Sequence, residues 1–325
     1  MTGPTPQPVV SVIIPCHNAA ATLPLQLEAL ATQTGAPPFE VVVVDNRSTD
    51  NTTGIVDEWA TRVPFRLRLV RAGDFQGASY ARNVGVREST AELLMFCDAD
   101  DAVSEFWVDH GRRCFDVSPV WSGSALSLED AAFERSLPGI RQAIGDDPAW
   151  VAPVFAQENA AFPILMGGNF GATKAAMLSV GGFDQSLPSA GEDNDLGFRF
   201  RRSGYSVPVA LTVRIAYRGK WDLATRRHLT FRSALAHALI ATRYAVWPQS
   251  PYPHWLIEVL RCAGAGLKFS LRPRHANWTG WTLRTTSALG IAAGTVHYRF
   301  LRRVPEAQLG VGFTTNSDPE RRVRA

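Results

Sequence analysis

Three aspartates follow an uncharged, apolar run in the segment LLMFCDADD. The run begins at Leu93, and the carboxylates are those of Asp98, Asp100 and Asp101. Like charges this close repel one another, so the carboxylates must project into water or face a positive partner. Mg²⁺ and Mn²⁺ take oxygen ligands, commonly one or two carboxylates together with substrate phosphates. An Asp-x-Asp pair at a strand end can supply such ligands. The structural alternative is a solvated turn in which Asp101 caps a helix that begins near Val103.

A second group of carboxylates lies in the segment GEDNDLGFR, which contains Glu192, Asp193 and Asp195. A carboxylate within hydrogen-bond reach of an attacking hydroxyl can act as a general base. A helix N-terminus also favours carboxylates for purely electrostatic reasons, and the residues alone give the two interpretations equal weight. We expect Asp195 to be a charge at the helix start, paired with Arg199.

The elements that must position these groups follow a regular alternation. Apolar, β-branched runs predict buried strands, and they alternate with amphipathic helices, which indicates a parallel α/β sheet. The predicted strands are VVSVIIP, FEVVVVD, FRLRLVRA, AELLMFC and, later, SVPVALTVRIAYRG. Ligands in such sheets bind beyond the carboxyl ends of the strands. Residues 15–18, 45–50 and 98–101 should therefore meet in one crevice. The stretch from Trp107 to Pro163 is expected to be irregular.

Charge divides the chain into two parts. The net charge is +3, but residues 226–312 contain twelve Lys and Arg against two acids. Residues 1–225 consequently carry a net negative charge. An acidic front and a basic rear suggest that the rear meets an anionic partner. Helical spacing and four tryptophans in the rear favour an anionic membrane surface, with packing of the rear against the acidic front as the alternative. Nucleic acid is the less favoured partner.

The remaining composition favours a cytoplasmic protein. The four cysteines have no zinc or redox spacing and are predicted to be free thiols. The N-terminal residues lack the features of a signal peptide, and no apolar run is long enough to span a bilayer. We therefore expect a cytoplasmic location, peripheral to the inner face of the membrane.

Six motifs occur in the order seen in inverting, family-two glycosyltransferases of the GT-A fold, which the chain resembles over about residues 9–220. They are SVIIPCHNAAATL, VVVVDNRSTDNT, GASYARNVGV, LLMFCDADD, GGFDQSL and GEDNDLGFRFRRSGY. The resemblance implies a GT-A (Rossmann-like, mostly parallel) α/β catalytic domain over residues 1–225. The nucleotide-sugar half would span about 9–105 and the acceptor half about 106–225. A basic helical extension follows over 226–312, and residues 313–325 are expected to be a disordered tail.

The resemblance also implies roles for individual residues. Asp193 would be the general base, and Glu192 would orient the acceptor or the backbone. Asp100 would bind Mn²⁺ or Mg²⁺ directly, with Asp98 near the metal and the ribose, and Arg82 would face the base or the diphosphate. The nucleotide-sugar site would comprise Pro15, Cys16, His17, Asn18, Asp45, Asn46, Arg82, Asp98 and Ala99. The acceptor or diphosphate side would comprise Gly168, Asn169, Arg218 and Lys220.

The sequence departs from the family pattern at three positions. Asn46 replaces a common Asp, Lys174 replaces a frequent Arg, and Tyr217 replaces a His that completes the metal shell in many relatives. A phenol is a poor ligand for this metal, so Arg218 and Lys220 are expected to contribute more charge to the diphosphate.

The expected function is metal-dependent, inverting transfer of a sugar from a nucleotide diphosphosugar to a carbohydrate or lipid-linked acceptor. It would serve glycan, glycolipid or cell-envelope polysaccharide synthesis. Transfer should be non-processive, because the Q-x-x-R-W signature is absent. A catalytically weak nucleotide-sugar or polysaccharide-binding protein of the same fold is the alternative. A nucleotidyltransferase is disfavoured, because the first strand is not followed by a glycine-rich, basic loop.

Overall fold

The computed structural model describes residues 7–155, 165–187, 190–250, 255–271 and 276–314. Its strands are β1 (Val10–Cys16), β2 (Phe39–Asp45), β3 (Arg66–Arg71), β4 (Leu93–Cys97), β5 (Ala102–Val103), β6 (Val120–Leu128), β7 (Asn169–Thr173) and β8 (Val209–Arg218). Its helices are α1 (Leu23–Ala31), α2 (Thr52–Trp59), α3 (Ala78–Glu88), α4 (Trp107–Cys114), α5 (Leu137–Ala143), α6 (Lys174–Ser179), α7 (Glu192–Arg202), α8 (Leu223–Arg243), α9 (Trp255–Leu271) and α10 (Trp278–Gly294). Short 3₁₀ turns cover Asp130–Glu134 and Trp247–Gln249, and a π-helical turn, Thr295–Phe300, continues α10.

The eight strands form one sheet in the order β3-β2-β1-β4-β7-β6-β8-β5. β1 to β4 are mutually parallel where they pair, β7 is antiparallel to β4 and β6, and β8 is parallel to β6. The sheet is therefore mixed but mostly parallel, as the alternating pattern predicts.

Helices cover both faces of the sheet, and the apolar residues at the centres of β1, β2 and β4 are fully buried between them. Ile13 at the centre of β1 pairs with Val42 of β2 and Phe96 of β4. α3 lies especially close, because a Cβ on Gly85 would be 2.4 Å from Ile13 Cγ2. A side chain at Gly85 would push α3 away from the sheet, so this glycine fixes the depth of the helix that carries Arg82.

The prediction that residues 107–163 are irregular is wrong in part. α4, β6 and α5 lie within it, and β6 is a nine-residue strand at the centre of the second half of the sheet. The sequence of β6, VWSGSALSL, alternates small and polar residues and lacks the β-branched run that identified the other strands. Residues 156–164 lie outside the described residues.

The basic extension is helical, and its chain returns to the α/β body. α8 begins at Leu223 and packs along α10, while α9 packs on α10 from another side. After the π-helical turn the chain runs back to α3, where Asn83 Nδ2 donates to the carbonyl of Val311 at 2.8 Å. Phe313 packs against the core beneath α3, so ordered structure continues into the start of the predicted disordered tail. Residues 315–325 lie outside the described residues.

Within the described part of the chain, no helix combines the length and the apolar character that crossing a bilayer requires.

Candidate active site

A cleft of about 620 Å³ opens at the carboxyl ends of β1, β2 and β4, where parallel sheets place their ligands. The cleft is lined by Pro15, Cys16, His17, Asn18, Ala19, Thr22, Asn46, Gln76, Gly77, Ala78, Ala81, Arg82, Asp98, Ala99, Asp100, Glu192, Arg218 and Lys220. The convergence of three strand ends that the alternating pattern predicts is therefore present.

Cations from elsewhere in the chain face the aspartates that follow β4. Arg82 Nη2 lies 2.8 Å from Asp98 Oδ1, and Lys220 Nζ lies 3.0 Å from Asp100 Oδ2. Arg218 Nε donates to the carbonyl of Asp100 at 3.0 Å. The repulsion between the neighbouring carboxylates is thus offset by three basic side chains, two of which are Arg218, the last residue of β8, and Lys220, two residues later.

Asp101 is buried, so it belongs to no solvated turn, and it does not cap a helix. Residues 102–103 form β5, paired with β8, and α4 begins only at Trp107. Asp101 Oδ1 accepts the backbone N–H of Arg218 at 2.9 Å, while its other oxygen is buried without a hydrogen-bond partner. Burial and the nearby charge of Asp98 raise the pKa of Asp101 well above its ordinary value.

Glu192 and Asp193 open α7 on the other side of the cleft. Asp193 accepts the backbone N–H groups of Asn194 at 2.7 Å and Gly167 at 3.3 Å. Burial nevertheless raises the pKa of Asp193, and it also raises the pKa of Glu192, whose Oε1 lies 3.7 Å from Arg82 Nη1. A buried carboxylate with a raised pKa is a stronger proton acceptor than an exposed one, which suits a general base.

The pairing predicted within α7 is confirmed. Asp195 Oδ2 lies 2.8 Å from Arg199 Nε one helical turn later, and both side chains are buried. This pair faces the interior of the protein and leaves Glu192 and Asp193 as the carboxylates of α7 that approach the cleft.

A glycine pair separates the two acidic groups. A Cβ on Gly167 would lie 3.2 Å from Asp193 Cβ, and one on Gly168 would lie 2.5 Å from Asp98 Oδ2. The backbone at 167–168 therefore touches Asp193 on one side and Asp98 on the other. Any side chain at Gly168 would collide with the Asp98 carboxylate, so this position requires glycine.

The loops after β1 and β2 hold one another in place. His17 Nδ1 lies 2.9 Å from the carbonyl of Asn46, and Asn18 Oδ1 accepts the N–H of Thr49 at 2.8 Å. Asn18 adopts a left-handed conformation with φ 51°, which asparagine tolerates better than most residues. Asp45 is buried behind this wall and accepts the N–H of Ser48, so it stands next to the cleft and does not line it.

The departure from the family pattern at Asn46 has a structural explanation. Its amide nitrogen donates to the carbonyls of Ala72 and Phe75, and its Oδ1 accepts the N–H of Gly77 at 2.8 Å. An aspartate could not donate to the two carbonyls. Asn46 therefore holds the segment that leads into α3, and its amide is fully engaged within the chain.

Two other predicted positions also have internal contacts. Asn169 is fully buried, and its side chain accepts from Trp107 Nε1 and donates to the carbonyls of Ser124 and Val213. Lys174 Nζ lies 2.8 Å from the carbonyl of Ser89, where it joins α6 to the end of α3. Neither side chain faces the cleft.

The carboxylates that follow β4 fit a divalent cation only in part. Among the described residues, no three His, Cys, Asp or Glu side chains converge to chelate a metal without further ligands. Burial, with the charges of Asp101 and Asp100, raises the pKa of Tyr217, so its phenol stays protonated and is a poor ligand. The oxygens of Asp98 and Asp100 do suit Mg²⁺ or Mn²⁺, provided that phosphates and water complete the shell.

Sequence reasoning missed part of the site. Gln76, Gly77 and Ala78 line the cleft at the start of α3, where Gly77 has a φ of 124° that L-residues rarely adopt. Phe133 and Asp130 were also missed. The Arg218 guanidinium lies 4.0 Å from the Phe133 ring centroid, and its Nη1 lies 3.0 Å from Asp130 Oδ1. A glycine directly before a predicted helix is a usable signal for the loop at Gly77. The contacts of Arg218 with Phe133 and Asp130 join residues far apart in the chain, so no local signal indicates them.

Comparison with known proteins agrees with this geometry. Residues 11–110 match glycosyl transferase family 2. The chain is 34% identical over 132 residues to glycosyltransferase AglE of Haloferax volcanii, covering 40% of this chain and 41% of that protein. It is 43% identical over 98 residues to a PGL/p-HBAD biosynthesis glycosyltransferase of Mycobacterium tuberculosis, covering 30% of this chain and 38% of that protein. The matches thus span about two fifths of the length of these curated relatives.

Two solved structures share the fold. The mannosyltransferase PcManGT from Pyrobaculum calidifontis, in complex with GDP-Man and Mn²⁺, has a TM-score of 0.60 at 20% identity and covers 92% of this chain and 89% of its own. Residues 1–349 of S. aureus TarS, in complex with UDP-GlcNAc, have a TM-score of 0.53 at 16% identity and cover 90% of this chain and 91% of their own. The resemblance drawn from the sequence is therefore confirmed over residues 11–110, which match glycosyl transferase family 2, and the chain has the GT-A fold.

Proposed function

We propose that this protein transfers a sugar from a nucleotide diphosphosugar to an acceptor hydroxyl, with inversion at the anomeric carbon. One observation carries the proposal. Asp98 and Asp100, which suit a metal-bound diphosphate, line the cleft, and Asp193, which suits a general base, lies beside it on the other side of the Gly167–Gly168 backbone. A donor-binding group and a proton acceptor are the two parts that this reaction needs.

The donor would lie along the strand ends. Residues 15–18 and 76–78 form the walls of the cleft on the side of β1 and β2, where the nucleotide fits. Arg82 is buried, which excludes a surface role, and its Nε and Nη1 have no hydrogen-bond partner. Buried donors without a partner cost free energy, so an anionic ligand that accepts from them would bind favourably.

The diphosphate would lie against the positive side chains after β8. Arg218 and Lys220 line the cleft beside Asp100 and can donate to phosphate oxygens as the leaving group develops charge. Mn²⁺ or Mg²⁺, held by Asp98 and Asp100, would neutralise further charge on the diphosphate when bound. The PcManGT structure contains Mn²⁺ with GDP-Man, which supports metal dependence here as a proposal.

Asp193 would accept the proton of the acceptor hydroxyl. Its carboxylate is held by two backbone N–H groups, so its orientation is fixed before the acceptor arrives. Glu192 and Asp98 flank Arg82 at 3.7 and 2.8 Å, so that one guanidinium links the two sides of the site. Arg82 is in this way a positioning residue as well as a ligand for the donor.

The acceptor that we propose is a carbohydrate or a lipid-linked hydroxyl, glycosylated once per encounter in glycan, glycolipid or cell-envelope polysaccharide synthesis. We propose that the protein works at the inner, cytoplasmic face of a membrane, with residues 226–312 on an anionic surface. The large basic excess of this segment supports that setting.

A thermal-shift screen of UDP-, GDP- and dTDP-sugars tests the proposal, because a ligand that binds only the folded state raises its stability. We expect one nucleotide class to raise the Tm with Mn²⁺, and the shift to shrink when EDTA replaces the metal. Absence of any shift across the three classes would contradict it. A shift without subsequent release of nucleoside diphosphate would instead support the sugar-binding alternative.

A further inference from the structure

Helix α9 turns a stripe of leucines towards solvent. Leu256, Leu260, Leu267 and Leu271 are 53%, 62%, 67% and 76% exposed. Their spacings of four, seven and four residues place them on one side of a helix with 3.6 residues per turn. An alanine and a glycine fill the same side between Leu260 and Leu267. Contiguous exposed apolar surface of this kind marks an interaction site, unlike single exposed side chains.

The opposite side of α9 holds it in place. Cys262 is buried there, and its carbonyl accepts from Trp281 Nε1 of α10 at 2.9 Å. Gly266 allows the Trp281 ring to approach, since a Cβ at that position would lie 2.8 Å from it. α9 is therefore anchored by α10 with its leucines facing outwards, and exposure of the stripe is a consequence of this packing.

Basic side chains run beside the leucine stripe. Arg261 and Lys268 are exposed and seven residues apart, on one flank of α9. Glu258 is the only acid in the helix, and it is neutralised by Arg261 at 2.6 Å and by Arg284 of α10 at 3.0 Å. The exposed face of α9 thus combines apolar area with net positive charge.

The positive charge of the extension is not consumed by the α/β body. Among the described residues of 226–312, only Arg243 forms an ion pair with a carboxylate of residues 1–225, at 2.6 Å from Asp184. The exposed basic residues of the segment that the structure describes are Arg227, Arg261, Lys268, Arg284, Arg299, Arg302 and Arg303. Direct pairing of these side chains with carboxylates of the acidic front is therefore limited, among the described residues, to Arg243.

We propose that α9 docks on an anionic lipid surface, lying in the plane of the interface. The four leucines enter the boundary between headgroups and acyl chains, and Arg261 and Lys268 contact the headgroups. The tryptophans contribute less than their number suggests. Trp247 is buried and Trp281 packs on α9, which leaves Trp278 as the exposed one of these three.

Lipid fits this face better than other occupants. A second copy of the chain that paired the leucine stripes would bring the basic flanks of two helices together, and like charges would repel. Nucleic acid would bind the cations but would leave the leucines in water. An anionic bilayer satisfies both features together. This inference does not depend on the proposed glycosyl transfer.

Co-sedimentation of the full chain with vesicles tests the docking. We expect the protein to pellet with phosphatidylcholine vesicles that contain phosphatidylglycerol, to be released by added salt, and to pellet little with pure phosphatidylcholine. Leu260→Glu with Leu267→Glu should lower partitioning by about a hundredfold, since each leucine is worth about tenfold. The double variant Arg261→Gln with Lys268→Gln should lower binding to the anionic vesicles and leave the weak binding to pure phosphatidylcholine vesicles unchanged.

Leu178→Glu is the matched control, because Leu178 is 49% exposed on α6 in the α/β body. It should pellet as the wild type does, and all variants should keep the wild-type Tm because the changed side chains are exposed. Two outcomes would overturn the proposal. One is wild-type protein that stays in the supernatant with anionic vesicles at low salt. The other is a wild-type dimer in sedimentation equilibrium that Leu260→Glu dissociates, since α9 would then be a protein interface.

Discussion

The charged side chains of the cleft and those of the extension are arranged in opposite ways. In the cleft each described Asp-x-Asp carboxylate faces a cation of the same chain, Asp98 with Arg82 and Asp100 with Lys220. In the extension most described cations face solvent, and Arg243 alone reaches a carboxylate of the body. Side chains that pair with one another in the cleft are positioned so that a small charged ligand can take the place of either partner. Charge beside the exposed leucines that has no carboxylate partner in the α/β body is available to a large, external surface.

The largest expected effect comes from removal of the proposed general base, Asp193, at the start of α7. Asp193→Asn keeps the shape of the side chain but removes the proton acceptor, so we expect turnover to fall by roughly 10²–10⁴-fold. Donor binding should change little, because Asp193 does not line the nucleotide side of the cleft. The measurement is initial-rate kinetics with the best donor, alongside donor-induced thermal shifts. Near-normal turnover in the variant would remove Asp193 from the mechanism.

A smaller effect, opposite in sign for the metal and for the phosphate ligand, tests whether a bound ligand replaces the ion pairs within the cleft. Lys220 Nζ lies 3.0 Å from Asp100 Oδ2, and both side chains are about two-fifths exposed. Lys220→Ala should therefore tighten binding of Mn²⁺ alone, and weaken binding of pyrophosphate with Mn²⁺ by about two- to fivefold, as for an exposed charge pair. Asp100→Ala should abolish the metal dependence of pyrophosphate binding.

Calorimetry with Mn²⁺ and with inorganic pyrophosphate measures both changes without knowledge of the nucleotide. Lys268→Ala, on α9, is the control of equal charge and should leave both affinities unchanged. Equal weakening of Mn²⁺ and pyrophosphate in Lys220→Ala would show that the lysine does not compete with the metal for Asp100.

A separate effect, on stability and not on ligand binding, concerns the packing of the extension. Burial lowers the pKa of His237 in α8 to about 4, and its Nε2 lies 2.7 Å from Ser250 Oγ. The folded state disfavours the charged imidazolium of His237. This group therefore leaves the free energy of unfolding unchanged above its unfolded pKa of about 6.5, and it lowers that free energy as the pH falls towards 4. The free energy of unfolding should fall by about 2 kcal/mol between pH 7 and pH 5 through this group.

His237→Gln keeps a polar partner for Ser250 and cannot titrate in this range. Denaturant unfolding at the two pH values should therefore show a smaller pH dependence in the variant. An identical dependence in both proteins would place the acid sensitivity elsewhere.

The first half of the fold could be predicted because its strands are continuous apolar runs. β1, β2 and β4 are buried on both faces, so their sequences carry a strong local signal, and the ends of these strands contain most of the site. β6 lacks that signal, because its serines, its glycine and its alanine are small residues that fit close neighbours. A Cβ on Gly123, for example, would lie 2.3 Å from the Asn169 amide.

Within the site, sequence patterns identified chemistry better than they identified contacts. The carboxylates of Asp98, Asp100, Glu192 and Asp193 could be selected by type and spacing, and the structure brings them to one region. Asn46 and Asn169 share the polar character of ligands, yet their amides serve the backbone of distant segments. Such bonds join residues that are tens of positions apart, and local sequence does not record them.

The most direct measurement of the central claim is proton NMR of the wild-type protein with Mn²⁺ and the donor that stabilises it most. The account predicts release of nucleoside diphosphate, and a first sugar product whose anomeric configuration is opposite to that of the donor. Water can serve as acceptor if no other is supplied. Release of a sugar with retained configuration, or no release from any donor that binds, would contradict the proposed inverting transfer.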